Sequence, residues 1–466
     1  MGFLQQIYMW VLNPIYRQTS KISSENRDKI VFLMMFLVYG SILVWYSINM
    51  FDIYISHTPR MLLECVILFI AILFISDKPL VKIKWNNWVA ASWIICGIVI
   101  LIMGFVARQN VGYWFIGPVM AFGFPCLYFV ILNQKEYSRY IIIICKAIVL
   151  SSLIYFILAL FADFISDTVW DVWGLRYNGT TSDANRIGEI CVASFAAGIY
   201  LVTVRGISVK WQVISLAVMA FCICDAWISI SRSTIIALLC MGLYYIILIF
   251  KEAMETKEIK RALVKAFCFL LCILMAYLGT FAMRSIHEYA QERARQETVV
   301  ETENIAENSD AAVSEEDKDS FSAVNERLEL SGKDINTLSS GRITIWHTYL
   351  SGTGILGNEA DGRTPISDNL TNVAAHNTLF EFSYRSGIVA GLLIMIVEIL
   401  SGIYILRVLF RRSRNNRPQD YFAAFASIGF IIVSNLQVAY NPLTSIIFFV
   451  YSLSMVVMFE YRRKTE

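Results

Sequence analysis

The sequence predicts an all-α polytopic membrane protein of about twelve transmembrane helices, with one large external loop between the ninth and the tenth. Composition, the length of the apolar runs and the placement of Lys and Arg predict it. Of 466 residues, 57% are hydrophobic and 16% charged, against about 25% charged in a soluble domain. The apolar residues fall into runs of roughly 17–23, long enough to cross a hydrocarbon core of ~30 Å as helices. They lie near 30–50, 60–76, 88–106, 113–132, 140–162, 186–203, 211–229, 233–250, 263–281, 386–406, 421–437 and 443–460. The net charge of +2 is uninformative as a total; its placement is not.

Lys and Arg set the orientation. With the N-terminus inside, the segments 1–29, 77–87, 133–139, 204–210, 251–262, 407–420 and 461–466 together hold 23 of them. The short outer loops hold Arg60, Arg108, Arg176, Arg186 and Arg232. Lys and Arg concentrate on the cytoplasmic side, so both termini are expected inside. The chain then divides into a cytoplasmic segment 1–29, spans one to nine over 30–281, an external loop 282–385, spans ten to twelve over 386–460 and a cytoplasmic tail 461–466. Residues 1–29 do not read as a signal peptide, because Pro14 and Arg17 interrupt the apolar stretch and no small-residue cleavage site follows. They fit a short interfacial segment.

Two substantial loops, 163–185 and 282–385, fall outside. The second contains an acidic insert near 288–335. Between 297 and 319 it has nine carboxylates against Lys318 alone, too little apolar surface to fold by itself. Beyond it, 339–385 regains aromatic and apolar residues, and helices packed on the membrane domain are expected at 339–349 and 377–386. All ten Cys lie inside apolar runs, where Cys acts as a small hydrophobe; neither a disulfide framework nor a thiolate metal site is expected.

Ionisable groups within a bilayer are costly and usually functional. Glu64, Glu189, Asp225, Asn435 and Gln437 all fall in the outer halves of their spans, which points to a polar site opening outward. Lys146 and Lys265 sit near inner ends, where they can snorkel to the interface. Glu398 lies beyond the midplane without an evident role.

Three outward segments carry chemistry. Residues 174–189 read GLRYNGTTSDANRIGE, combining a cation (Arg176), a flexible backbone at Gly179 and an Asn (Asn185) entering a helix as a capping side chain. Residues 229–234, SISRST, put Arg232 at the membrane surface between hydroxyls. The third segment runs from Arg342 and Trp346 through the turn 352–357, GTGILG, to AHNTLFE at 375–381. Singly, an Arg at a boundary is an anchor and a His before a helix is a cap. In this order and spacing they resemble the bacterial O-antigen polymerase and O-antigen ligase superfamily. The motifs are Arg176/Gly179/Asn185, Ser231-Arg232, Arg342/Trp346, Gly352/Gly354/Gly357 and His376-Asn377. The likeness covers roughly 170–405. Many members carry an acidic residue about nine positions after the His, where this chain has Arg385; Glu381 is the nearby carboxylate, and which carboxylate assists the His stays open.

The resemblance implies a glycosyltransferase of the bacterial cytoplasmic membrane with its active site facing outward. It would transfer a polyprenyl-pyrophosphate-linked glycan to an acceptor sugar hydroxyl. Arg176 and Arg232 would be catalytic cations, since planar guanidinium groups suit phosphate oxygens, and His376 the base. Arg342, Asn185, Gly179, Asn377 and Glu381 would bind substrate. The expected partners are the lipid-linked donor and acceptor, the bilayer and other polysaccharide-assembly proteins, with no nucleic acid. No DxD-like pair or cluster with metal spacing accompanies the motifs, so neither metal nor cofactor is expected. A polymerase, a ligase delivering a finished glycan to a lipid, protein or wall acceptor, and a flippase-type transporter remain alternatives. A transporter should show two related halves, and none is evident.

Overall fold

Backbone that water cannot reach must satisfy its own hydrogen bonds, and among the described residues each of the apolar segments forms a helix over most of its length. A computed structural model describes residues 2–48, 57–106, 115–164, 169, 176–181, 183–303, 342–358 and 374–460. Its principal helices are α1 Gly2–Thr19, α2 Ser24–Ile48, α3 His57–Ile75, α4 Asn87–Val106, α5 Ile116–Leu132, α6 Ser138–Leu160, α7 Ala184–Thr203, α8 Val209–Ile228, α9 Arg232–Thr256, α10 Ile259–Glu303, α11 Arg342–Ser351, α12 Thr378–Ser386, α13 Ile388–Phe410, α14 Pro418–Leu436 and α15 Ile446–Phe459. The only β feature among the described residues is an isolated bridge between Trp85 and Glu460. Nine of these helices (α2, α3, α4, α6–α10 and α13) are long and apolar enough to cross a membrane, and α5 and α15 are shorter apolar helices. The chain is thus a multi-pass helical protein by length and composition.

Helix α7 is the hub. Its spanning window is 89% buried, against 22% for α10 and 28% for α13, and α6, α8, α9, α14 and α15 pack around it. Its Ala, Gly, Ser and Cys residues let neighbouring backbones approach, as bilayer packing requires. Polar groups inside are matched: Ser152 Oγ lies 2.7 Å from Ser194 Oγ, which lies 3.1 Å from Tyr39 Oη. At the rim, α10 and α13 keep Leu, Ile and Phe exposed, as lipid contact demands.

One expectation needs correction. The ninth span was expected to end near 281 and give way to loop, but α10 continues to Glu303. At 1.5 Å per residue its 45 residues run about 67 Å, well beyond a single crossing. Residues 282–303 contain neither Gly nor Pro and are rich in Ala, Glu, Gln and Arg, so nothing stops the helix. Beyond 281 it rests on Phe164, whose ring centroid is 6.5 Å from that of Tyr289. The rest of the acidic insert, together with Gly341, Asp361, Asp368 and the tail, lies outside the described residues.

Candidate active site

A buried segment without regular structure underlies the site. Helix α14 ends at Leu436 and α15 begins at Ile446. Gln437, Ala439, Leu443 and Ser445 between them are buried. Such backbone is tolerated at membrane depth only where protein satisfies it. Here Thr378 Oγ1 donates to the Gln437 carbonyl at 3.2 Å and accepts from the Ala439 amide at 2.7 Å. Arg60 Nη2 donates to the Leu443 carbonyl at 3.1 Å. Ser445 Oγ donates to Glu189 at 2.7 Å, as does Tyr46 Oη at 3.0 Å. Glu64 faces Arg60 at 3.5 Å. Glu398 acquires a role too, accepting from Ser434 at 2.8 Å and Asn435 at 3.3 Å. Lys265, expected to snorkel, instead pairs with Glu252 at 2.9 Å.

The first two sequence segments meet on this floor. Gly188 sits against the start of α9 so closely that an added Cβ would lie 2.0 Å from Thr234 Oγ1. Arg176, half-buried, donates from Nε to the Ser229 carbonyl at 3.1 Å, and the Tyr177 amide donates to the Ile228 carbonyl at 3.2 Å. Gly179 takes φ +59°, which glycine adopts freely. Ile230, one residue before Ser231-Arg232, takes φ 51°. A β-branched residue there is strained by about 1–3 kcal/mol. Ser233 receives a hydrogen bond from Gln437. The cap of α7 is Asp183, not Asn185 as the sequence suggested: the helix begins at Ala184, and Asp183 accepts from the Asn185 amide at 3.0 Å and from its side chain at 3.3 Å.

The third segment forms a frame around His376. Helix α11 lies on α12, where Trp346 meets Phe380 at 5.6 Å and Trp346 Nε1 donates to the Ala375 carbonyl at 2.9 Å. The Ala375 amide donates to Glu381 at 3.0 Å, and the other oxygen of Glu381 accepts from Arg385. Asn377 caps α12 by accepting from the Phe380 amide at 3.1 Å and ties it to α14 through the Asn435 carbonyl at 3.1 Å. His376 therefore does not cap the helix. It stands between two anchored residues at φ 49°, half-buried. The glycine turn closes the frame: the Ile388 amide donates to the Gly354 carbonyl at 3.0 Å. At Gly357 a Cβ would collide with the Arg385 carbonyl at 1.8 Å.

Electrostatics gather the charged groups. Burial, and then the Arg342 guanidinium, pull the His376 imidazole below its ordinary value, against the opposing pull of Asp183 and Glu381. Arg342 is itself pulled down by burial and then by Arg232. His376 is thus coupled to Arg342 and Asp183, and Arg342 in turn to Arg232, with Arg176 beside the α8–α9 turn. The two Arg groups repel each other, a cost that a bound anion would offset. Glu381, Asn377 and Asn185 have framework contacts, and Gly179 shapes the loop. His347 is exposed on α11. Asp183 was missed by sequence reasoning, although an Asp just ahead of a helical run is an N-cap signal. Thr378 and Ile230 carried no local signal. Among the described residues no group of three or more His, Cys, Asp or Glu could hold a metal ion. The chain matches no family model, no curated protein and no solved structure.

Proposed function

We propose that the protein is a polymerase of a bacterial surface polysaccharide, transferring a glycan from a polyprenyl-pyrophosphate carrier to an acceptor sugar hydroxyl. One observation carries this reading: Arg232 of the second segment acts electrostatically on Arg342 of the third, and Arg342 on His376. In this reading the chain crosses the cytoplasmic membrane twelve times with both termini inside, and the site faces outward. Arg176, Arg232 and Arg342 hold the donor pyrophosphate, on which negative charge collects as the glycosidic C–O bond breaks. Preorganised cations at that position stabilise the transition state. His376, kept neutral at pH 7 by its depressed pKa, accepts the proton of the attacking hydroxyl as the new C–O bond forms. The polyprenyl pyrophosphate departs, and the imidazolium returns its proton to solvent.

The test is deletion in the producing strain, followed by sizing of surface and lipid-linked glycans. Polymerase loss leaves a single repeat unit on the acceptor. Long chains stranded on the polyprenyl carrier would instead establish a ligase, and unchanged glycans would overturn glycan transfer altogether.

A further inference from the structure

Helix α1 takes no part in the site, and its two faces need different neighbours. Gln5, Tyr8, Leu12 and Tyr16 recur at helical spacing and are buried. Tyr16 Oη donates to the Ile72 carbonyl at 2.7 Å and Tyr8 Oη to the Phe122 carbonyl at 2.8 Å. Both carbonyls belong to apolar helices, α3 and α5, so α1 lies against the flanks of the helical body rather than free in water. Side-chain amides on this side stitch the segment after α3 to α1. Gln5 donates to and accepts from the Ile83 backbone, each at 3.1 Å. Asn13 does the same for Leu80, at 3.3 and 2.6 Å.

The opposite face is apolar and uncovered. Phe3, Ile7, Trp10 and Val11 are 75%, 41%, 80% and 41% exposed. Beside them Val81 and Trp88 are 63% and 79% exposed. Arg17, Lys21, Lys78 and Lys82 are exposed along the same end of the molecule, and an added Cβ on Gly2 would lie 3.0 Å from Lys82 Nζ. A row of large apolar side chains bordered by cations marks a surface with a partner.

We propose that α1 is an in-plane membrane anchor. Its Phe3–Ile7–Trp10–Val11 face sits at the acyl–headgroup boundary of the leaflet at the Lys/Arg-rich end of the spans. Arg17, Lys21, Lys78 and Lys82 meet the headgroups of anionic lipids. Tryptophan prefers that boundary, and an apolar face edged by Lys and Arg is the pattern of helices lying in it. Trp88 and Ile95, two turns apart on one face of α4, are exposed as well. A second copy is a poorer occupant, because a symmetric contact would set one cationic rim against the other.

The experiment uses the full-length protein in phosphatidylcholine nanodiscs, with and without phosphatidylglycerol. A genetically encoded environment-sensitive fluorescent amino acid replaces Phe3, Ile7, Trp10 or the exposed Glu25 in turn. Positions 3, 7 and 10 should be quenched to similar extents by nitroxides near the lipid headgroup and shielded from aqueous iodide, with the reverse at 25. Equal iodide quenching at 10 and 25 overturns the proposal, as does shielding that appears only at high protein density. Retention of phosphatidylglycerol over phosphatidylcholine should fall several-fold when Arg17, Lys21, Lys78 and Lys82 are all changed to Gln. An unchanged preference in that folded variant overturns the headgroup assignment.

Discussion

His376 is fixed through its neighbours rather than by its own secondary structure. Ala375 is held at both its amide and its carbonyl, and Asn377 is held at both ends of its side chain. His376→Ala should therefore fold and still bind the lipid-linked donor through the Arg groups. Its turnover should fall roughly 10²–10⁴-fold, and a fully active purified variant would remove the residue from the mechanism. The depressed pKa gives the pH dependence a sign. The base is neutral above its folded pKa, so kcat/KM should hold through pH 7 and fall only on acidification below the ordinary value near 6.5. A bound pyrophosphate offsets Arg342, so the acid limb of kcat should lie at higher pH than that of kcat/KM. Coincident limbs would argue against an anion beside His376. At Arg232 a point charge cannot replace a planar fork. Arg232→Lys should lose on the order of 10²-fold in kcat, whereas an anchoring Arg would tolerate the change.

Helix α12 shows how an element can be built for its ends. Its cap Asn377 and its first turn, with Thr378 and Glu381, fix the backbone before His376 and around the end of α14; its last turn is wrapped by the glycine turn. Glu381 pairs with Arg385 and holds the Ala375 amide, while its charge also opposes the downward shift of the His376 imidazole. Glu381→Gln removes the carboxylate partner of the largely buried Arg385 and should cost on the order of 3 kcal/mol, read as a lowered melting temperature in detergent. If Glu381 acts in the reaction itself, the folded variant will be inactive even well below its melting point. A framework role predicts that substantial turnover survives at low temperature.

Across the whole molecule, polarity is distributed along the bundle axis. Lys and Arg crowd one end, and the candidate site and the extension of α10 occupy the other. Glu292 on that extension is exposed, so Glu292→Cys should react with a membrane-impermeant maleimide in intact cells, above the background of the native Cys. Labelling that requires permeabilisation would invert the topology and put the site inside. The low burial of α10 and α13 and the high burial of α7 fit one bundle with its hub inside and its rim in lipid.

The sequence alone determined that the apolar segments are helices, because a bilayer leaves backbone few choices and hydropathy reports directly on partition. It also yielded the three motif segments, since each is contiguous. Its limits appear where contacts join distant residues. Arg232, Arg342 and His376 are brought together only through the packing of α9 on α14, α14 on α12 and α12 on α11, which no local window encodes. Local windows also missed Asp183 as the cap, the left-handed Ile230 and the continuation of α10 past 281. The non-helical floor at 437–445 could form only in the tertiary structure. Its Gln437 carbonyl and Ala439 amide are satisfied by Thr378 and its Leu443 carbonyl by Arg60, side chains from parts of the chain that hydropathy treats as unrelated.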